Sequence, residues 1–250
     1  MVTISVKNLS FSYGDALVID GVSFDIEKGD YVALVGPNGA GKTTLIKILL
    51  GLEKCNNGLI QVFGKDIANF NQWNKIGYLP QKTNSFNSLF PATTQEVVAL
   101  GLLSQKKYPK RLNRNDRIAV DNILALFGIS DLKNRLVGEL SGGQQQRVFL
   151  GRAMVSEPSL LILDEPSAAL DPQMREIFFE IIKRINKEKK TTIILITHDI
   201  GQVGEYAEKM IYLDRKIVFY GKFSDFCLSA EMTKRFGNFS QHIICHQHKL

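Results

Sequence analysis

The sequence predicts an α/β fold: a mainly parallel sheet, an antiparallel β flank near the N-terminal end, and a helical subdomain inserted into the α/β core. Three observations carry this. Short apolar or β-branched runs recur at ISV (4–6), YVALV (31–35), LIQVF (59–63), IGYLP (76–80), LLIL (160–163), TIILIT (192–197), KMIYL (209–213) and KIVFY (216–220). Several are followed by helical patterns, among them KTTLIKILLGL, QQQRVFLGRAMV and PQMREIFFEIIKRINKEKK, and strand followed by helix is the order of a parallel sheet. The early runs lie closer together with fewer helices between them, which predicts the antiparallel flank. Residues from about 94 to 137 show no strand pattern but two amphipathic stretches, TQEVVALGLL and DRIAVDNILALFGI, the signature of an inserted helical subdomain.

These elements are expected to form one domain over residues 1–235, with the helical subdomain at about 94–155. Residues 236–250, FGNFSQHIICHQHKL, lose all periodicity and read as a tail. A chain of 250 residues with 44% hydrophobic residues can fill a substantial core. No run approaches the roughly 18 apolar residues needed to span a bilayer, and the first residues lack a secretory pattern. The expected location is therefore the cytosol or the cytosolic face of a membrane. Three widely spaced cysteines (Cys55, Cys227, Cys245) give no disulfide framework and fit a reducing compartment. The net charge of +6 suits nucleotide phosphates, an anionic membrane surface or nucleic acid without choosing among them.

The stretch GPNGAGKTT places Gly36, Pro37, Asn38, Gly39, Ala40, Gly41, Lys42, Thr43 and Thr44 between a strand and a helix. This is a P-loop: glycines let backbone N–H groups wrap phosphates, Lys42 neutralises β and γ charge, and the Thr43 hydroxyl completes a magnesium shell. ATP and Mg²⁺ are the expected ligand and metal. In LLILDEP an apolar strand delivers the Asp164 carboxylate to the sheet's C-terminal edge, where it can hold magnesium through water. Glu165 points away from its neighbour and is suited to orienting and activating the attacking water. His198 in ITHD follows another strand to the same edge, as a γ-phosphate sensor or a hydrogen-bond linchpin. Gln81, just past IGYLP, could reach magnesium or the attacking water.

A second glycine-rich stretch, LSGGQ (140–144), also feeds a helix start, where anions bind. One nucleotide site has no use for two cradles unless the second serves another copy. Two chains pairing head to tail would close Ser141, Gly142, Gly143 and Gln144 of one over the γ-phosphate held by Lys42 of the other.

GPNGAGKTT, Gln81, LSGGQ, LLILDEP, SAALD and His198 stand in the order of an ABC-transporter ATPase subunit, which the chain resembles over residues 2–225. LSGGQ is highly specific for that family. The resemblance implies the ABC ATPase fold, a P-loop NTPase core. It implies that Tyr13 in FSYGD stacks on adenine and that Asp171 closes the D-loop. It also implies that the helical subdomain and the Gln81 loop meet a membrane permease, with an extracytoplasmic solute-binding protein as an indirect partner, and no nucleic acid. The subunit would sit peripherally on the cytoplasmic side of the membrane.

The stretches PQKTNSFNSLFPATTQEVVALG and KKYPKRLNRND, with RFG leading into HIICHQH, resemble the ATPase subunits of zinc and manganese importers; iron-chelate and other small-solute importers are the alternative. His242, Cys245, His246 and His248 are of types that bind Zn²⁺ and suggest weak regulatory binding of the transported metal, against a plain terminus that happens to carry histidines. The basic run KKYPKRLNR (106–114) suits anionic headgroups or a solvated loop, and its single tyrosine is too little for stacking on nucleic acid. Three other classes fit less well. A structural-maintenance ATPase needs long heptad arms, a soluble translation-associated ABC protein has two cassettes in tandem, and NKIG (74–77) lacks the aspartate of a guanine-reading motif.

Overall fold

The computed structural model describes residues 1–55, 57–81, 91–167, 170–198, 204 and 206–237. In chain order its strands and α-helices are β1 (Val2–Tyr13), β2 (Ala16–Glu27), β3 (Tyr31–Val35), α1 (Lys42–Leu49), β4 (Asn57–Val62), β5 (Lys65–Asp66), β6 (Ile76–Leu79), α2 (Thr94–Ala99), α3 (Arg114–Leu126), α4 (Gly142–Met154), β7 (Leu160–Asp164), α5 (Pro172–Lys189), β8 (Thr192–Ile196), β9 (Lys209–Asp214), β10 (Lys216–Lys222), α6 (Phe223–Leu228) and α7 (Ala230–Phe236). They fall into two compact units. The first holds residues 1–71 and the described residues from 186 onward; the second holds 72–185.

The first unit contains the antiparallel flank, with strands in the order β2-β1-β4-β5. The hairpin of β1 and β2 is longer than the sequence reading allowed: ISV is only part of a twelve-residue strand, and β2 was not anticipated. Its inward residues Val22, Phe24 and Ile26 alternate with outward Ser23 and Asp25. Only its first four residues, ALVI, form an apolar run; from Asp20 onward the half-buried strand follows period 2 and shows none. The same unit contains β10-β9-β3-β8, in which β3 runs parallel to both β8 and β9, and β9 and β10 pair antiparallel. All five residues of β3 and all five of β8 are buried, the condition under which strands read as unbroken apolar runs. Each fully buried Val, Leu or Ile there contributes about 1.5–3 kcal/mol of transfer free energy.

In the second unit β6 and β7 pair in parallel with Leu79 beside Leu163. Helices α2, α3 and α4 pack around one another, burying Val97, Val98, Val120, Leu124, Val148 and Phe149. Both α2 and α3 begin at a capping box: Glu96 Oε2 accepts from Thr93 N at 2.8 Å, and Asp116 Oδ2 accepts from Asn113 N at 2.6 Å. The first amphipathic stretch changes pitch after Ala99 into a 3₁₀ segment, Leu100–Gln105. Gly101 lies within it, and a Cβ there would stand 2.1 Å from the Arg152 carbonyl oxygen. The close approach to α4 thus demands glycine.

Candidate nucleotide site

In the first unit β3 stops at Val35 and the chain turns through the glycine-rich loop into α1. Gly36 has φ +152°, and a Cβ there would lie 2.0 Å from the Leu213 carbonyl oxygen, so the loop can pass β9 only as glycine. Pro37, Asn38 and Gly39 form an exposed rim, while Ala40 is buried beneath them. The loop is held from behind, because Arg215 N donates to Ala40 O at 3.1 Å and Asp20 N donates to Arg215 O at 2.9 Å.

Helix α1 starts after Gly41 without a side-chain cap and with no acidic residue in its first turn. Its leading N–H groups and the positive end of its dipole could therefore receive an anion with no competing carboxylate in that turn. The buried Lys42 ammonium curls over the loop and donates to Gly36 O at 2.7 Å and Pro37 O at 2.9 Å. Phosphate oxygens are stronger acceptors than those carbonyls and would draw the ammonium outward. Thr43 is exposed and Thr44 half-buried at the head of the same helix.

Two further expected residues lie in this unit. His198 is exposed just beyond β8, whose Ile196 registers beside Leu34 of β3, so His198 and the loop follow the same ends of neighbouring parallel strands. Tyr13 ends β1 with 45% of its surface exposed, meets the Phe11 ring edge-on at 4.8 Å, and donates from its hydroxyl to Glu53 Oε1 at 3.1 Å. That leaves a ring face free for stacking.

In the second unit β7 carries Asp164 to its C-terminal end with 2% of the residue exposed. Tyr78 on β6 feels it: burial first, and then the Asp164 carboxylate, push the phenol up to about 12. Glu165 follows with φ +51°, left-handed backbone for a residue with a side chain, and is half-buried. Such a conformation costs roughly 1–3 kcal/mol, and it clusters where geometry serves chemistry. Gln81 is exposed just past β6, the parallel neighbour of β7.

Ser141 is the N-cap of α4 in a further capping box. Its Oγ accepts from Gln144 N at 3.4 Å, and its N–H donates to Gln144 Oε1 at 3.0 Å. Ser141 and Gly142 are exposed, Gly143 half-buried, and the first turn carries no carboxylate. Gln145 Nε2 braces the approach by donating to Val137 O and Leu140 O at 3.0 and 3.2 Å. Asp171 is exposed and caps α5, accepting from Met174 N at 2.9 Å.

Residues 19–168 match the family described as ABC transporter. The chain belongs to the ABC transporter family. This ABC ATPase is 44% identical to the zinc uptake system ATP-binding protein ZurA of Listeria innocua over 87% of its length and 85% of that protein. It is 34% identical to the manganese transport system ATP-binding protein MntB of Halalkalibacterium halodurans over 89% of its length and 87% of that protein. Among solved structures it resembles the dimeric bacterial ABC transporter cassette MJ0796, with a TM-score of 0.79 at 27% identity, covering 88% of this chain and 98% of that one.

The ABC ATPase's two units thus each bring together part of the expected set. The first holds Tyr13, Gly36 to Thr44 and His198; the second holds Gln81, Ser141 to Gln144, Asp164, Glu165 and Asp171. The candidate tail residues His242, Cys245, His246 and His248, and Ala168 and Ala169 of SAALD, lie outside the described residues. Among the described residues no group of three or more His, Cys, Asp or Glu side chains could hold a metal ion, and no helix is long and apolar enough to cross a membrane.

Sequence reasoning missed Gln146. It is buried on α4 and donates from Nε2 to the Pro166 carbonyl at 2.5 Å, joining the LSGGQ helix to the turn that carries Glu165. Its only sequence signal is a polar residue within the apolar stripe of α4.

Proposed function

We propose that this ABC ATPase energises uptake of a divalent transition metal, zinc or manganese, by a membrane permease. The carrying observation is its likeness, over most of both chains, to one zinc-uptake and one manganese-transport ATP-binding protein. The cargo is substrate for the permease and need not touch this subunit. An iron-chelate or other small-solute importer is the alternative.

The site chemistry supports a division of labour. ATP phosphates would lie on backbone N–H groups of the loop and the first turn of α1 within residues 36–44, with Lys42 neutralising charge and Tyr13 stacking on adenine. The Cβ-free cradle at Gly36 and the carboxylate-free start of α1 suit that anion. Thr43 in the first unit, and Asp164 and Gln81 in the second, each offer an oxygen donor of the kind that suits Mg²⁺, which would supply charge neutralisation at the transferred phosphate. Glu165 orients and deprotonates water, and His198 holds the γ-phosphate end.

Ser141 to Gln144 are reserved for a second copy of the chain, whose nucleotide they would cover while Asp171 borders the contact. The dimeric form of the related cassette supports this. Closure around ATP would move the permease on the cytoplasmic side of the membrane, and hydrolysis would reopen the pair. The solute-binding protein outside the membrane acts through the permease.

Glu165→Gln tests the reading. The variant should bind nucleotide normally and accumulate as an ATP-held dimer in size-exclusion chromatography; a monomer with ATP and Mg²⁺ would refute the sandwich or the role of Glu165. Cargo is tested by cellular metal content with and without the gene under chelation, adding back zinc, manganese and iron separately.

A further inference from the structure

The segment from Lys106 to Arg117, which joins the 3₁₀ segment to α3, concentrates six cations against one carboxylate. That carboxylate is already engaged. Asp116 pairs with Lys106 at 2.7 Å while accepting from Asn113 N. Neighbouring carboxylates are engaged as well: Asp121 pairs with Lys133, and Glu96 accepts from Thr93. Lys107, Lys110, Arg111, Arg114 and Arg117 are all exposed and have no ion-pair partner among the described residues.

Apolar side chains stand among these cations. Tyr108 is 94% exposed, and Leu112 and Ile118 are also exposed. Arg114, Arg117 and Ile118 share one face of α3 by helical spacing. Cations interleaved with exposed apolar and aromatic groups are the pattern of a surface that lies in a headgroup layer, where ammonium and guanidinium groups meet phosphate and the tyrosine ring sits at the boundary. Nucleic acid is the weaker fit, because one tyrosine offers no stacking series.

We infer that the Lys107–Arg117 segment is a membrane-contact surface that binds anionic phospholipid headgroups, independently of the permease. It rests on the proposed function only for the nearness of a membrane. Each cation near an anionic leaflet multiplies partitioning by about fivefold.

The test is flotation of the full chain with vesicles of phosphatidylcholine alone or mixed with phosphatidylglycerol. The wild type should favour the anionic vesicles, and the preference should fall as salt rises. K107Q/K110Q/R111Q/R114Q should lose at least about tenfold in partitioning to anionic vesicles, a conservative fraction of four such factors. Its soluble ATPase rate and thermal melt should match wild type, since Asn113, Asp116 and Lys106 are untouched. K107R/K110R should bind as wild type, and inorganic phosphate at matched ionic strength should not displace the protein. Equal flotation of wild type and the four-fold variant would overturn the inference, as would no preference for phosphatidylglycerol, or tight oligonucleotide binding without lipid preference. The vesicles hold no permease, so failure here leaves the metal-uptake reading to its own tests.

Discussion

Gln146 and Pro166 are joined by a 2.5 Å hydrogen bond between a buried amide and a buried carbonyl. It ties α4, whose start carries Ser141 to Gln144, to the turn that begins with Glu165. Gln146→Leu keeps the apolar bulk and removes the donor, leaving one buried carbonyl short of this partner. A loss of about 1–3 kcal/mol is expected, together with a lower kcat, because the Glu165 turn loses its brace. Nucleotide affinity at the Lys42 loop should stay unchanged. Denaturant melts, nucleotide titration and steady-state kinetics separate these; a destabilised variant with wild-type kcat would make the bond structural only.

Gly36→Ala probes the cradle from its tightest point. The new Cβ would fall 2.0 Å from Leu213 O, a backbone atom that no side-chain rotation relieves. The loop must shift off β9, and the N–H groups that follow Gly36 shift with it. Nucleotide affinity should drop at least about tenfold, the equivalent of 1.4 kcal/mol, with a lower melting temperature. Lys42→Ala should lose similar affinity with a smaller fall in melting temperature, since it removes the charge and the donor to Gly36 O and Pro37 O but forces no backbone clash. Isothermal titration beside thermal melts distinguishes the two.

The P-loop was legible because its function needs glycine at positions where backbone geometry forbids anything else, and LLILDEP because a buried parallel strand must be apolar up to the residue it presents. β2 was not legible, since a strand with one wet face has Asp20, Ser23 and Asp25 diluting its apolar set. The early end of α2 was hidden for a different reason. TQEVVALGLL keeps helical spacing past Ala99, and only the approach of the Arg152 carbonyl to Gly101 shows why the pitch changes. Gln146 was invisible because its partner is a main-chain carbonyl, which leaves no trace in residue type.

Asp116 links the basic segment to the stability of α3. Its acceptance from Asn113 N, and then its bond to Lys106, hold its carboxyl below the usual range. The native chain therefore binds this proton more weakly than the unfolded chain. Its contribution is complete above the ordinary carboxylate range and lost as pH falls through the lowered folded value. Asp116→Asn should destabilise by about 1 kcal/mol at neutral pH, and the difference from wild type should shrink on acidification. Urea melts across that range would show it; a constant difference would mean that shape, not charge, is what Asp116 supplies.

Tyr78 reports on the carboxylate proposed to serve magnesium. Burial and the Asp164 charge raise its phenol to about 12 from the ordinary 10.0. The folded chain thus holds the proton more tightly than the unfolded one, so the contribution to stability is complete below pH 10 and lost as pH climbs toward 12. Asp164→Asn removes only the second cause, so Tyr78 should titrate lower than in wild type while staying above 10. Ultraviolet difference titration, with Tyr78→Phe subtracted to isolate the one phenol, reads this directly. A Tyr78 titration unmoved by Asp164→Asn would show that the carboxylate's field is directed away from β6.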